Sequence, residues 1–292
     1  MATLRETRNR IVSVRNTSKI TQAMRMVAAA KLRRAQDAIT SARPFAAKLQ
    51  QILGNLAQAD SDFVHPFFET RKDLRSIVVI VVSSDRGLCG AFNTNVLRSA
   101  MQRIDVLRAL HPQATITVIP VGRRSVNAFR KRSEAIAAEY PDVFLKLEHT
   151  TAMGISDIVG TGFLTGQYDH VEAIYNEFVS VIRQEVRTLQ LLPVAADVPT
   201  KDTKHNVDYI FEPTRADILD TLLPMYLNTQ VWRTLLDSNA AEQAARMMAM
   251  ENATNNARDL ITALQLMYNR ERQAAITKEM LEIVGGAEAL NN

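Results

Sequence analysis

The residues best suited to chemistry lie in one turn, Ser84-Asp85-Arg86-Gly87-Leu88-Cys89-Gly90, directly after a run of β-branched residues. A glycine turn between a strand and a helix can bind phosphate through backbone N–H groups and the positive end of the helix. This turn lacks the three-glycine dinucleotide fingerprint, and the sequence contains no phosphate loop ending in Gly-Lys-Ser or Gly-Lys-Thr. The sequence therefore disfavours a nucleotide site.

Cys89 is the single cysteine and allows two interpretations. Beside glycines near a helix start, its thiol pKa could be lowered and the thiol reactive. The favoured interpretation is a small buried hydrophobic residue. A single cysteine forms no internal disulfide, which indicates a reducing compartment.

Other catalytic and metal-binding patterns are absent from the sequence. The five histidines lie far apart and show no metal-ligand spacing. The sequence contains no nucleophile elbow, no kinase signature and no close pair of acids with a positioned histidine. We therefore expect no metal, no cofactor and no catalytic residue in this chain.

Charge is distributed unevenly along the chain. Residues 1–50 carry eleven Lys and Arg against two acidic residues, whereas residues 201–292 carry nine against thirteen. The basic N-terminal arm suits nucleic acid, an anionic membrane or an acidic protein partner. The two ends of the chain are electrically complementary.

The terminal segments are predicted to form long helices because residues 1–53 and 167–284 contain no glycine. Apolar residues recur there in steps of three and four, the seam of a coiled coil. The predicted seam positions are Ile20, Met24, Val27, Ala35, Ala38, Ala42, Phe45, Leu49, Ile52 and Leu56, then Ile218, Leu222, Ala253, Ala257, Leu260, Leu264 and Met267. Pro44 and Pro224 fall inside these patterns, where we expect bends and not helix ends.

The middle of the chain is predicted to be an open α/β sheet. The run from Ser76 to Ser83 is typical of a strand buried on both faces, and Thr115 to Val121 predicts a second strand. We predict helices from about Asn93 to Leu110 and from Gly122 toward Tyr140. The stretch from Val171 to Val194 suits a helix or strands, and strands are favoured.

Three long motifs resemble the gamma subunits of F-type ATP synthases. They are the segment from Lys19 to Gln36, the segment from Ser83 to Asn93, and the tail from Tyr268 to Ala287. They occur in the family's order and the resemblance covers essentially the whole chain. It implies a long antiparallel coiled coil of the N- and C-terminal helices plus a Rossmann-like open α/β domain. The implied division is 1–58 (N-terminal coiled-coil helix), 59–74 (linker), 75–200 (α/β domain), 201–214 (foot) and 215–292 (C-terminal coiled-coil helix).

The resemblance also implies a role, that of the central rotating shaft of the synthase. The shaft couples proton flow through the membrane c-ring to ATP synthesis or hydrolysis in a hexamer of alpha and beta subunits, which holds the catalytic residues. The epsilon subunit is a further implied partner. The implied placement is the cytoplasmic face of the bacterial plasma membrane, as a peripheral protein. A processed organellar chain is the alternative, and no presequence is expected.

The resemblance assigns residues to four surfaces, and the glycine turn adds a separate expectation. Met24 and Arg25 match the segment that faces the beta-subunit lever, and Arg272, Gln273, Thr277 and Glu279 match residues that hydrogen-bond a beta-subunit catch loop. Tyr209 and Glu212 match the foot that contacts the ring, and Met280, Leu281, Ile283 and Val284 form an apolar bearing. Gly87 and Gly90 are expected to hold turn conformations that a side chain would strain.

The alternative function, from another class, is a nucleic-acid-binding coiled coil with a basic N-terminal arm. The arm has no aromatic residue before Phe45 that could stack on bases, and its basic residues alternate with the apolar seam. The sequence therefore favours the shaft and no nucleic acid.

Overall fold

The computed structural model describes residues 4–58, 65–71, 73–132, 134–194 and 214–290. The helices are α1 (Leu4–Gln58), α2 (Phe92–Leu110), α3 (Arg123–Phe129), α4 (His149–Leu164) and α5 (Arg215–Leu290), with a short 3₁₀ helix at Pro66–Phe68. The strands are β1 (Ser76–Val82), β2 (Thr115–Val121), β3 (Ala135–Ile136), β4 (His170–Phe178) and β5 (Gln184–Leu192). The predicted fold class, two long terminal helices with a central α/β sheet, is confirmed.

The sheet has the strand order β3-β2-β1-β4-β5. Strands β1, β2, β3 and β4 pair in parallel, and β5 runs antiparallel to β4 at the edge. Along β1, Val78, Ile80 and Val82 belong to one core cluster, while Ile77 and Val79 belong to another. Successive side chains of a strand point to opposite faces, so a strand covered on both sides needs the uninterrupted apolar run seen here.

Strands were correctly predicted for the stretch from Val171 to Val194, whereas one predicted helix is shorter than expected and one helix was not predicted. The helix that opens after Gly122 ends at Phe129, well short of Tyr140, and the chain then forms β3. Helix α4, which has 16 residues, was not predicted from the sequence. Both terminal helices continue through Pro44 and Pro224, as expected.

The described residues fall into two compact units. The smaller unit comprises Met1–Ala28 with Met247–Asn292, and the larger unit comprises Ala29–Arg246. In the smaller unit α1 and α5 run antiparallel, because Thr7 meets Glu271 whereas Arg25 meets Glu251. The larger unit contains the sheet, its covering helices and the remaining part of both terminal helices.

The seam of α1 was predicted in part, since Ala35 and Leu49 are buried as expected whereas other predicted positions are exposed. The buried positions are Thr7, Ile11, Ser18, Thr21, Ala28, Leu32, Ala35, Ile39, Leu49 and Leu53. The predicted seam residues Ile20, Val27, Phe45 and Ile52 are exposed by 60, 56, 54 and 38%. Thr21 and Ala28 are small enough to let two helix backbones approach closely, whereas Ile20 and Val27 lie one position outside this contact. Successive buried positions are three, four, seven or ten residues apart, which fits alternating steps of three and four and so keeps the seven-residue repeat of a left-handed coiled coil.

The seam of α5 was predicted in part. Ala257 and Leu264 are buried, whereas Leu260 and Met267 are exposed by 39 and 44%. The seam also contains Thr254, a polar residue that an apolar pattern does not select. Its hydroxyl lies 2.7 Å from that of Thr21 across the seam. This buried pair satisfies both hydroxyls and fixes the pairing of the two helices at that level.

Candidate functional site

The segment that was predicted to face a beta-subunit lever lies directly above the buried threonine pair. Met24 is half-buried, and Arg25 forms an ion pair with Glu251 of α5 at 3.2 Å between Nη1 and Oε1. The two side chains are 42 and 40% exposed, so the pair contributes at most about 1 kcal/mol to stability. Arg25 is therefore positioned by α5, and at small cost its guanidinium can turn to another acidic group.

Sequence reasoning missed Glu251 as the partner of Arg25, because 226 residues separate them. It also missed Glu271, whose Oε2 accepts a hydrogen bond from Thr7 at 3.1 Å. Both acids lie on the α5 face that meets α1. The sequence did offer one signal, the net negative charge of the C-terminal segment beside the net positive charge of the N-terminal arm. This charge difference predicts that the two segments pair, but it does not identify the paired residues.

The four predicted catch residues lie on α5 and are exposed. Arg272 and Glu279 are seven residues apart, about two helical turns, and share one face. Gln273 and Thr277 are four residues apart on a neighbouring face, where the Thr277 hydroxyl donates to the Gln273 carbonyl at 2.9 Å. Apart from that local bond, the four side chains project directional donors and acceptors into solvent.

The predicted bearing follows on the same helix. Met280, Leu281, Ile283 and Val284 are exposed by 60, 68, 72 and 59%. Large apolar side chains grouped at such exposure are typical of a surface that another protein covers. The foot residues Tyr209 and Glu212 lie outside the described residues.

The glycine turn after β1 has its left-handed backbone at Leu88 (φ 63°) and Gly90 (φ 58°). Gly87 lies outside the left-handed region, so a side chain there meets a different obstacle. An added Cβ would lie 2.6 Å from Nη2 of Arg124, the movable end of a flexible side chain. Conformational strain is thus expected at Gly90, and only a local contact at Gly87.

Asp85 in this turn is a buried acceptor for three backbone N–H groups. Arg123 N and Asp142 N each donate to Oδ1 at 2.9 Å, and Phe144 N donates to Oδ2 at 2.8 Å. Arg123 is the first residue of α3, so this carboxylate is itself the anion at a helix N terminus. The N terminus of α3, which lies beside this turn, is thus occupied by the chain's own carboxylate.

The turn is also held to α5 by Arg246, a residue that forms a buried ion pair within that helix. Arg246 donates to the carbonyl of Gly87 at 3.3 Å and to Oε1 of Glu242 at 2.6 Å. Burial raises the pKa of Glu242, with the neighbouring Arg246 opposing that rise.

Cys89 packs with Phe92 and Ala241 beside the pair of Glu242 and Arg246, and burial raises the pKa of its thiol. Cys89 is therefore the buried residue that the sequence favoured, not an activated thiol.

Within the described ranges, no group of His, Cys, Asp and Glu side chains could hold a metal ion. Over the same residues, no helix combines the length and hydropathy needed to cross a membrane.

The sequence matches known proteins over its whole length. A family model described as ATP synthase matches residues 3–290. The ATP synthase gamma chain of Chlorobaculum tepidum is 47% identical over 291 residues, covering 99% of both chains. The ATP synthase gamma chain of Cytophaga hutchinsonii is also 47% identical and is covered completely.

Solved structures agree with this assignment. A chain from the Tetrahymena thermophila mitochondrial ATP synthase central stalk and c-ring is 26% identical with a TM-score of 0.58, covering 80% of this chain and 99% of that one. A chain from the Euglena gracilis mitochondrial ATP synthase shares the fold at 19% identity with a TM-score of 0.65, covering 98% of this chain and 94% of that one. On the full-length family match and these relatives, the chain belongs to the ATP synthase gamma-chain family, whose members form the central stalk rotor.

Proposed function

We propose that this chain turns as the central shaft of an F-type ATP synthase and couples proton flow through a membrane ring to catalysis in a hexamer of alpha and beta subunits. The observation that carries the proposal is the end-to-end match with gamma chains at 47% identity. The antiparallel pairing of α1 and α5 supports it, since two paired long helices can carry torque that a single helix would dissipate by bending.

The chain contributes no catalytic residue in this proposal. The polar groups at its glycine turn, Asp85 and the pair of Glu242 with Arg246, bind the chain's own backbone and side chains. The chemistry of ATP therefore belongs to the alpha and beta subunits. The shaft acts by presenting a different surface to each of them as it turns.

Torque is proposed to pass at two surfaces of different character. At the lever, Arg25 is the cation and Met24 its half-buried neighbour. At the catch loop, Arg272, Gln273, Thr277 and Glu279 offer hydrogen bonds with defined angles, which create dwell positions in a rotation. The apolar bearing of Met280, Leu281, Ile283 and Val284 has no such angular preference and resists rotation weakly.

The membrane end of the shaft is proposed to use Tyr209 and Glu212 against the c-ring, together with the epsilon subunit. A rotor that contacts a membrane ring reaches the membrane only through the complex. We accordingly propose a peripheral position on the cytoplasmic face of the bacterial plasma membrane. No finding supports the nucleic-acid alternative, and Arg25 of the basic arm is already paired within the chain.

Reconstitution with the alpha and beta subunits of a related bacterial synthase tests the proposal. We expect the tagged chain to copurify at about one copy per three alpha and three beta subunits. In vesicles with the membrane sector, ATP hydrolysis should pump protons only when the chain is present. A chain that assembles at another stoichiometry, or pumping that is unchanged without it, would contradict the proposed role.

A further inference from the structure

The larger compact unit contains a cavity of about 530 Å³ between α1, α5 and the end of β4. Its apolar wall includes the rings of Phe45, Phe178 and Trp232. Asp237 also lines the cavity, although the residue is only 4% exposed. An acidic side chain at such burial normally has donors around it, so its surroundings are informative.

Asp237 has no hydrogen-bond donor among the described residues. Its nearest cation is Arg233, whose Nε lies 3.7 Å from Oδ2, too far for a hydrogen bond. The Arg233 side chain is 51% exposed and is therefore free to turn toward solvent. The other lining carboxylate, Glu177, differs because it already accepts a hydrogen bond from Arg187 at 3.0 Å. Asp237 is thus an incompletely satisfied anion that faces an aromatic-lined space.

We propose that this cavity binds a small amphipathic organic cation, an amine whose ammonium group pairs with Asp237 while its apolar body lies against Phe45, Phe178 and Trp232. A carboxylate supplies the charge-assisted hydrogen bond that an ammonium needs. Aromatic rings attract cations and also cover apolar surface. A cavity of a few hundred Å³ with aromatic walls and a small number of charged groups, here Asp237, Glu177, Arg43 and Arg233, is the usual form of a small-molecule site.

The protonation state of Asp237 adds a pH dependence to this site. Burial raises the pKa of Asp237 to about 6, with Glu177 adding to the rise and the cations opposing it. The charged and titratable groups around it are Arg233 of α5, Arg43 of α1, His149 of α4, and Tyr175 and Glu177 of β4. Above this pKa the carboxylate is charged and binds the amine, whereas below it the protonated acid has no charge to offer.

Trp232 makes the test direct because it is the only tryptophan in the chain. We would titrate the full-length chain with cyclohexylmethylamine and follow tryptophan fluorescence. Two probes of nearly the same shape, cyclohexylmethanol and cyclohexanecarboxylate, separate charge from apolar contact. At about pH 7.5 we expect the amine to bind at least about tenfold more tightly than the alcohol, from one charge-assisted hydrogen bond. The preference should disappear at about pH 5.

Two variants should move the amine affinity in opposite directions. Asp237→Asn removes the charge and should abolish the preference for the amine over the alcohol. Arg233→Gln removes the competing cation and should raise the amine affinity several-fold. Asp259→Asn, at an exposed position of α5, is the matched control and should change nothing. Far-UV circular dichroism shows whether each variant is folded. If Asp237→Asn does not fold, the Arg233→Gln variant still tests the proposal.

Several results would overturn the proposal. Equal binding of amine and alcohol would leave an apolar cavity without cation recognition. Tighter binding of the carboxylate would show that Arg43 and Arg233 govern the site. An absence of any saturable fluorescence change with all three probes would show that the cavity takes no small ligand.

Discussion

Replacing Asp85 by asparagine should destabilise the α/β part of the chain more than any other single-atom change in the turn. The carboxylate accepts three backbone N–H bonds, two at Oδ1 from Arg123 and Asp142 and one at Oδ2 from Phe144. Asparagine keeps one acceptor oxygen and places an NH₂ group at the other position. In the better orientation, that NH₂ group points at the N–H of Phe144, donor against donor.

The cost follows from counting what is lost. One hydrogen bond to a charged acceptor contributes about 1.5–3 kcal/mol, and the two remaining bonds weaken when the charge disappears. Leaving the Phe144 N–H without an acceptor adds a desolvation cost of similar size. We expect the free energy of unfolding to fall by about 3 kcal/mol. For a folded unit of about 200 residues, that corresponds to a drop in melting temperature of roughly 6–12 °C.

Urea denaturation and thermal melting of the full-length chain measure this change. The matched control is Asp105→Asn, since Asp105 is 63% exposed and its ion pair with Arg108 spans 3.5 Å. That control should lie within about 0.5 kcal/mol of the parent chain. If the melting temperature of Asp85→Asn lies as close to that of the parent chain as the control's does, the three backbone hydrogen bonds do not hold the turn to α3.

Met24→Lys should lower the number of protons pumped per ATP in the reconstituted complex, while the melting temperature stays near that of the parent. The reason is that a new ammonium group at the lever stabilises one rotational dwell by about 1 kcal/mol. Normal pumping with a destabilised complex would contradict the torque contact. Gly90→Ala should lower the free energy of unfolding by about 1–2 kcal/mol and reduce assembly yield, because alanine at φ 58° is strained. Gly87→Ala should lower it by less, since the Arg124 side chain can move away from the added methyl group. Equal melting temperatures of the two variants would refute this ranking. Asp237→Asn should stabilise the chain by up to about 3 kcal/mol above pH 6, because the pKa of Asp237 is raised from 3.8 to about 6 and the charged form disfavours folding. This gain should shrink as the pH falls from 6 to 4, and a pH-independent difference in urea unfolding would count against it. The isolated chain should neither hydrolyse nor tightly bind ATP, and stoichiometric binding in calorimetry would overturn that expectation.

The sequence alone was sufficient for the elements whose signal is local. The β-branched run of β1 predicts a strand buried on both faces, and the glycine-free ends predict long helices, because neighbouring residues set these periodicities. The three motifs were sufficient for the family. The helix α4 was missed because it has three glycines and because apolar Met153 and Leu164 interrupt the polar residues Thr150, Asp157 and Thr161 on its exposed face, so neither its propensity nor its periodicity stands out.

The seam of α1 shows where the sequence was ambiguous. Ala38 and Ile39, Phe45 and Ala46, and Ile52 and Leu53 are adjacent apolar pairs, and either member fits a repeat of three and four. Contact with the rest of the fold selects Ile39 and Leu53 and leaves Phe45 and Ile52 exposed. Polar seam residues such as Thr21 and Thr254 become explicable only once their hydroxyls share a hydrogen bond across the seam.

The sequence by itself determined the long terminal helices, the buried strands and the family, since each depends on short-range periodicity or on contiguous motifs. Only the tertiary structure decided the partners of Asp85, which come from residues 38, 57 and 59 positions away. The cavity at Asp237 also exists only in the tertiary structure, because its walls come from separate elements. The physical reason is that propensity acts within a turn or a strand, whereas a buried charge is satisfied by whichever remote groups the packing brings within hydrogen-bond distance.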